Sequence, residues 1–317
     1  MLSLPQRGDR DMLTRLAASG PVVYLLAGTA TAIAGLVPWL ITGMRLPVQN
    51  LWASTVFPGQ MPVALLPFSQ YALTLIVALI VVGSAIAGVV GRSSRAQHPR
   101  FAVVSLVVSV AVVQVAALVQ TTVTVMHGLR DTLASSLYLA ALVIGTAVSI
   151  TVGLVLLVLI ARAPAAGVVV ALSIAAIALE SWLDALVLPF GVATTEPNFV
   201  LLAAIRWVPA LVVGIAVVWA GIQSIDRVIA AIIGLLVLWI APAAVTAVSS
   251  AAGSRVLAAH PAEMLDYGSQ VFVSALGVAG DPLSLLVVAM VVMVLGLGAR
   301  GAMGRWRDGA RPGRLNT

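Results

Sequence analysis

Long apolar runs, each cut off by a short polar interruption, set the pattern of this chain. A helix needs about 20 apolar residues to cross a hydrocarbon core ~30 Å thick, and eight runs meet that length. They fall at roughly 20–43, 69–91, 101–124, 134–161, 165–189, 199–223, 227–250 and 282–299. The interruptions carry helix-ending and helix-starting chemistry. Arg92-Ser93-Ser94-Arg95 through Pro99-Arg100 divides the second and third runs, and Arg162-Ala163-Pro164 divides the fourth and fifth. Asp226 is placed to cap the seventh span, and Asp281-Pro282 reads as a cap-plus-proline start for the eighth. The pattern predicts an all-α, polytopic membrane bundle of eight spans forming a single transmembrane domain over 1–317. The first run is too long for the apolar core of a signal peptide and is expected to be retained.

Two connecting segments are longer than the rest. Residues 44–68 carry four prolines and end in an apolar stretch, Met61–Phe68, that is too short to span. Such a stretch fits a re-entrant or interfacial piece, allowed at membrane depth only where protein covers its backbone. In 251–281, Met264, Leu265, Phe272, Val273 and Leu276 recur at rough helical spacing, which predicts an interfacial helix. Four hairpins of common orientation suggest halves at 1–162 and 163–317, but no pair of matching motifs supports a repeat.

Charge assigns the sides. All 17 basic residues are arginine. Placing both termini in the cytoplasm puts Arg7, Arg10, Arg15, Arg92, Arg95, Arg100, Arg162, Arg227, Arg300, Arg305, Arg307, Arg311 and Arg314 inside. Only Arg45, Arg130 and Arg255 then lie outside, with Arg206 within a span. That asymmetry is a strong positive-inside signal and predicts a multi-pass protein of the cytoplasmic (inner) membrane with both termini cytoplasmic. The basic C-terminal tail is expected to lie on anionic lipid headgroups, not on nucleic acid. Membrane lipids are the expected partners, together with other membrane subunits or further copies of the chain. Tyr24 and Trp219 fall where one aromatic belt would lie, and Trp39, Tyr71 and Tyr138 where the other would; Trp239 falls mid-span and is expected to pack between helices.

The composition is 61% hydrophobic with only 9% charged residues, so an ionisable group inside a span stands out. Burying one costs about 2.5–3.5 kcal/mol on insertion scales, and such groups are commonly paired and functional. Glu180 and Asp184 are four residues apart on one helix face, roughly 14 Å and 8 Å below the expected helix end, and Arg206 lies roughly 12 Å below the same surface on the next span. These three form the candidate coupling or recognition site of a permease-like protein that moves a small solute or ion. The same three could equally staple two helices together.

Other polar groups are weaker candidates. His127, Arg130 and Asp131 share one turn, and His260, Glu263 and Asp266 share one short helix. Either set could serve as a secondary polar site, or supply acid–base groups to an outward-facing enzyme acting on lipid-linked substrates. The second set lacks a fourth donor, so no metal is expected. Gln114 and Gln120 are expected to hydrogen-bond across helices. No phosphate-binding loop, zinc-protease motif, nucleophile elbow or dinucleotide fingerprint is present, cysteine is absent, and no cofactor is expected. A non-catalytic transmembrane subunit of a larger complex is the main alternative to a permease. The stretch Gly43-Met44-Arg45-Leu46-Pro47-Val48-Gln49-Asn50-Leu51-Trp52 has the look of a motif but names no activity.

Overall fold

A computed structural model describes residues 20–94, 101–189, 195–254, 260–277 and 282–309. Ten helices are described: α1 (Gly20–Leu40), α2 (Leu73–Ser93), α3 (Ala102–Gly128), α4 (Leu133–Arg162), α5 (Ala165–Val187), α6 (Glu196–Ile205), α7 (Val208–Ala220), α8 (Ile225–Gly253), α9 (Pro261–Leu276) and α10 (Pro282–Gly309). Among the described residues no strand forms, and only two isolated β-bridges occur, Arg45–Val63 and Trp52–Leu129. With α6 and α7 taken as one span, eight helical stretches are long and apolar enough to cross a membrane. The chain is thus a multi-pass helical membrane protein. Asp281 lies outside the described residues. Asp226 is not the cap of α8: Ser224 takes that place, and Asp226 sits in the first turn, where its charge favours the helix dipole.

The chain divides into two compact units, 1–163 with 181–194, and 164–180 with 195–317. In the first, α1–α4 pack through small residues. A Cβ added to Gly35 would lie 2.7 Å from Gly83 Cα, so the backbones of α1 and α2 touch at a distance only glycine permits. Ser84 on α2 meets Gly153 on α4 in the same way. Gly145, by contrast, faces open space and mediates no contact. Arg92 closes the far end, its Nη1 donating to the Ile160 and Ala163 carbonyls at 3.1 and 3.0 Å and so satisfying orphan groups at the α4 C-terminus.

The opposite end of this unit is covered by residues 41–72. Met61, Ala64, Leu66 and Phe68 are at most 1% exposed, so the short apolar stretch is buried against the helices. Its backbone is satisfied by helix side chains, as burial in an apolar setting demands. Trp39 Nε1 donates to the Ala64 carbonyl (2.8 Å), Leu65 N–H to Gln120 Oε1 (2.9 Å) and Leu66 N–H to Thr121 Oγ1 (2.9 Å). Gln120 and Thr121 precede the α3 C-terminus by about two turns, so the loop dips roughly 11 Å inside the helix end. Trp39 is therefore a buried strut and not a belt aromatic, with 3% exposure.

In the second unit, α7, α8 and α10 share a core that includes Ala210, Val213, Leu238, Leu285 and Ala289. Helix α9 runs antiparallel to α8 and does not lie across its end: Gly268 sits against Ala251 and Ala247, while Trp239 Nε1 donates to the Leu276 carbonyl at 3.2 Å. Trp239 is 14 residues along α8, so α9 ends roughly 21 Å from the start of α8. The indole supplies a donor to a helix C-terminus that has none of its own. Trp239 thus bridges two helices, as its mid-span position suggested, though it is 41% exposed.

Candidate functional site

The buried cluster of Glu180, Asp184 and Arg206 is absent. All three side chains are half-buried, and the units divide them: Glu180 and Arg206 belong to the second, Asp184 to the first. The four-residue spacing does put Glu180 and Asp184 on one face of α5. That helix, however, gives its first turns to one unit and its last turns to the other, where Trp182 Nε1 donates to the Gly35 carbonyl at 2.8 Å. Equal depth along neighbouring helices does not fix which side chains meet. Arg206 lies at the break between α6 and α7; its Nη2 donates to Ser284 Oγ at 3.3 Å, and its guanidinium stands 5.5 Å from the Trp207 ring centroid. A hydroxyl and an aromatic face are among the groups that hold the guanidinium. Pro209 has no N–H to offer the Ile205 carbonyl, which accounts for the break two residues earlier.

The secondary candidates lie on exposed turns and helices. His127 and Asp131 are exposed, and Arg130 anchors the loop: its Nε donates to the Trp52 carbonyl (3.0 Å) and its backbone N–H to the Leu51 carbonyl (2.9 Å). His260, Glu263 and Asp266 are exposed on α9, and Asp266 Oδ2 accepts from Gln270 Nε2 at 2.8 Å. Among the described residues no group of three or more His, Asp or Glu side chains is placed to hold a metal ion. Gln114 and Gln120 do bond across helices. Gln114 Nε2 donates to the Ile80 carbonyl (2.9 Å) and Ser84 Oγ (3.0 Å), leaving its buried Oε1 without a hydrogen-bond partner.

The built site lies elsewhere, in the cap formed by residues 41–72 on the first unit. The motif-like stretch 43–52 opens it. Gly43 and Met44 both have positive φ (81° and 56°) and turn the chain back from α1. Gln49, 6% exposed, then ties the cap together: its Nε2 donates to the Pro47 carbonyl (3.0 Å) and the Phe68 carbonyl (2.5 Å), and its Oε1 accepts from Tyr138 Oη (2.6 Å). Trp52 sits against Gly128, whose missing Cβ leaves space for the indole. Ala53 N–H donates to the Gly128 carbonyl at 2.8 Å. A small cleft of about 20 Å³, room for one water, opens between the two ends of the cap and α4, with Gln49, Asn50, Ser69, Gln70, Tyr71 and Tyr138 among its lining. Gln49 and Tyr138 went unremarked as site residues in the sequence. The signal for Gln49 was that 43–52 mixes proline, amides and tryptophan in a way that spans do not; Tyr138 read only as a belt aromatic.

Comparison with protein families, with curated proteins and with solved structures finds no match to this chain.

Proposed function

We propose that the chain is a non-catalytic component of the cytoplasmic membrane that recognises an external partner through the rigid cap of its first unit. One observation carries this reading: a loop of some thirty residues, which has no need of order merely to join two helices, is tied at both ends and in its middle by Trp39, Gln49, Gln120, Thr121 and Arg130. Preorganised loops on a rigid scaffold are where binding surfaces are found, since their ordering entropy is already spent. The arginine distribution supports placing this cap outside and both termini in the cytoplasm. The exposed acid–base residues do not converge, which disfavours the enzyme reading.

Single cysteines at Phe57, which is 74% exposed, and at Ile144, 63% exposed on α4, test the reading in a chain with no cysteine of its own. A photo-reactive probe on the cap should cross-link in native membranes to a product that the probe at 144 does not give. Identical products from both, or none, overturn it.

Passage of a solute or ion is the second reading, and the interrupted span at Arg206–Trp207 favours it, because broken helices at depth expose backbone groups to a permeant. Liposomes holding the pure chain would then show gradient-driven uptake that Pro209→Ala reduces.

A further inference from the structure

We propose that one half of the second unit, made of α6, α9 and the end of α8 beyond Pro242, swings as a lid hinged where the unit's helices are interrupted at a single depth. The arginine-bearing ends set the scale. Arg227 Nη1 donates to the Ala220 carbonyl at 2.8 Å, and Arg300 Nη1 donates to the carbonyls of Val218 and Trp219, so α7, α8 and α10 are level there. From Ala220 the chain rises roughly 22 Å to Ile205, whose carbonyl meets Pro209 and finds no N–H. Along α8, Leu238 is roughly 20 Å up, and its carbonyl likewise faces a proline, Pro242. The Thr246 hydroxyl donates back to the Pro242 carbonyl at 2.9 Å, a bond that often accompanies a bend. Ser284, in the first turn of α10, is roughly 24 Å from Arg300, and α9 ends beside Trp239. None of α6–α10 therefore crosses this level with its backbone ladder intact.

The two sides of the level are packed differently. On the arginine-bearing side Ala210, Val213, Leu285 and Ala289 are buried, and glycines bring backbones together: a Cβ on Gly214 would lie 2.7 Å from the Val292 side chain, and Gly296 abuts Val218. On the far side α6 buries no residue, α9 buries none of its described side chains, and α8 beyond Pro242 buries only Ala243 and Ala247. Segments with so few buried contacts belong to the least stable part of a fold. Their helices are nonetheless formed, so the motion open to them is a swing about the interruptions, where a few residues absorb the change in φ and ψ. Two clasps cross or sit at the level and fix the position seen. Arg206, at the end of α6, donates to Ser284 on α10, and Trp239 holds the Leu276 carbonyl of α9. This motion is independent of what the cap of the first unit recognises.

The test is a set of distances between spin labels on the full chain in phosphatidylcholine nanodiscs, cysteines being free to place in a chain that has none. Ile225 at the start of α8 is the common anchor, paired with Phe199 on α6, Leu265 on α9, or Val287 on α10, all of them exposed. The pair Ile225–Val287 stays within the packed half and should give a single narrow distribution. The pairs Ile225–Phe199 and Ile225–Leu265 cross the level and should give broad or bimodal ones. Pro209→Ala with Pro242→Ala restores both N–H donors, and should narrow the crossing pairs to the width of the reference pair; Pro242→Ala alone should do so in part for Leu265. Ser284→Ala and Trp239→Phe release the clasps and should broaden them further. Crossing pairs as narrow as the reference pair overturn the proposal. So does a breadth that the proline variants leave unchanged. Amide exchange in α6 and α9 should stay slow through their central turns, and fast exchange there would show that these helices unfold and do not swing.

Discussion

Thr121 and Thr122 are neighbours on α3 with opposite roles, and the pair measures what a buried backbone group demands. Thr121 is fully buried and accepts the Leu66 N–H, whereas the Thr122 hydroxyl donates to the Leu118 carbonyl of its own helix. Thr121→Val keeps the shape and orphans that N–H, so it should destabilise by about 1–3 kcal/mol. Thr122→Val should change little, because the Leu118 carbonyl keeps its helical partner. Thermal unfolding of the two variants side by side checks this, and equal effects would show that the buried stretch does not depend on Thr121. Gly128 gives a second residue-level prediction. A Cβ there would overlap the Trp52 ring, so Gly128→Ala should displace the indole and destabilise by about 1–3 kcal/mol. The Trp52 emission maximum should shift to the red as the ring is freed, read in a variant that keeps Trp52 as the only tryptophan.

At the level of elements, the informative features are those that interrupt a helix or turn back beside one. Pro209 separates α6 from α7 by withholding an N–H from the Ile205 carbonyl. Pro209→Ala should join the two into one helix and raise the melting temperature, an interior helical proline costing ~3 kcal/mol. A fall instead would mean that the neighbouring helices are packed around the ring, since Pro209 is buried. Helix α9 depends on α8 in a comparable way, through Gly268 and the Trp239 indole. Trp239→Phe retains the ring and removes the donor, so amide exchange in the last turn of α9 should quicken while that of α8 stays unchanged.

For the molecule as a whole, the arginines act twice. Their distribution is the basis for the proposed orientation, and several also close helix ends: Arg92 on α4, and Arg227 and Arg300 on α7 through the carbonyls of Val218, Trp219 and Ala220. Cysteines introduced at 57, 96 and 312 should divide cleanly, with 57 reacting with an impermeant reagent on intact cells and 96 and 312 reacting only after permeabilisation. Labelling of 96 or 312 from outside would overturn the topology, and with it the placement of the cap.

Span number and span boundaries were legible in the sequence because apolar length is a local property: twenty consecutive lipid-compatible residues have no alternative use, whatever their neighbours do. That Met61–Phe68 needs cover by protein was legible for the same reason, the stretch being apolar yet too short to span. The partners of side chains were not. Glu180, Asp184 and Arg206 share a depth, but which face of α5 meets which helix depends on close-packed glycines such as Gly35 and on anchors such as Trp182, which lie far apart in the chain. The cap cleft is the extreme case. Gln49 and Tyr138 are separated by 89 positions, and only tertiary packing brings the amide under the phenol. The sequence determined that this chain crosses a membrane and where it turns; the packing of its helices decided which polar groups face one another, since a hydrogen bond is made by position and not by depth.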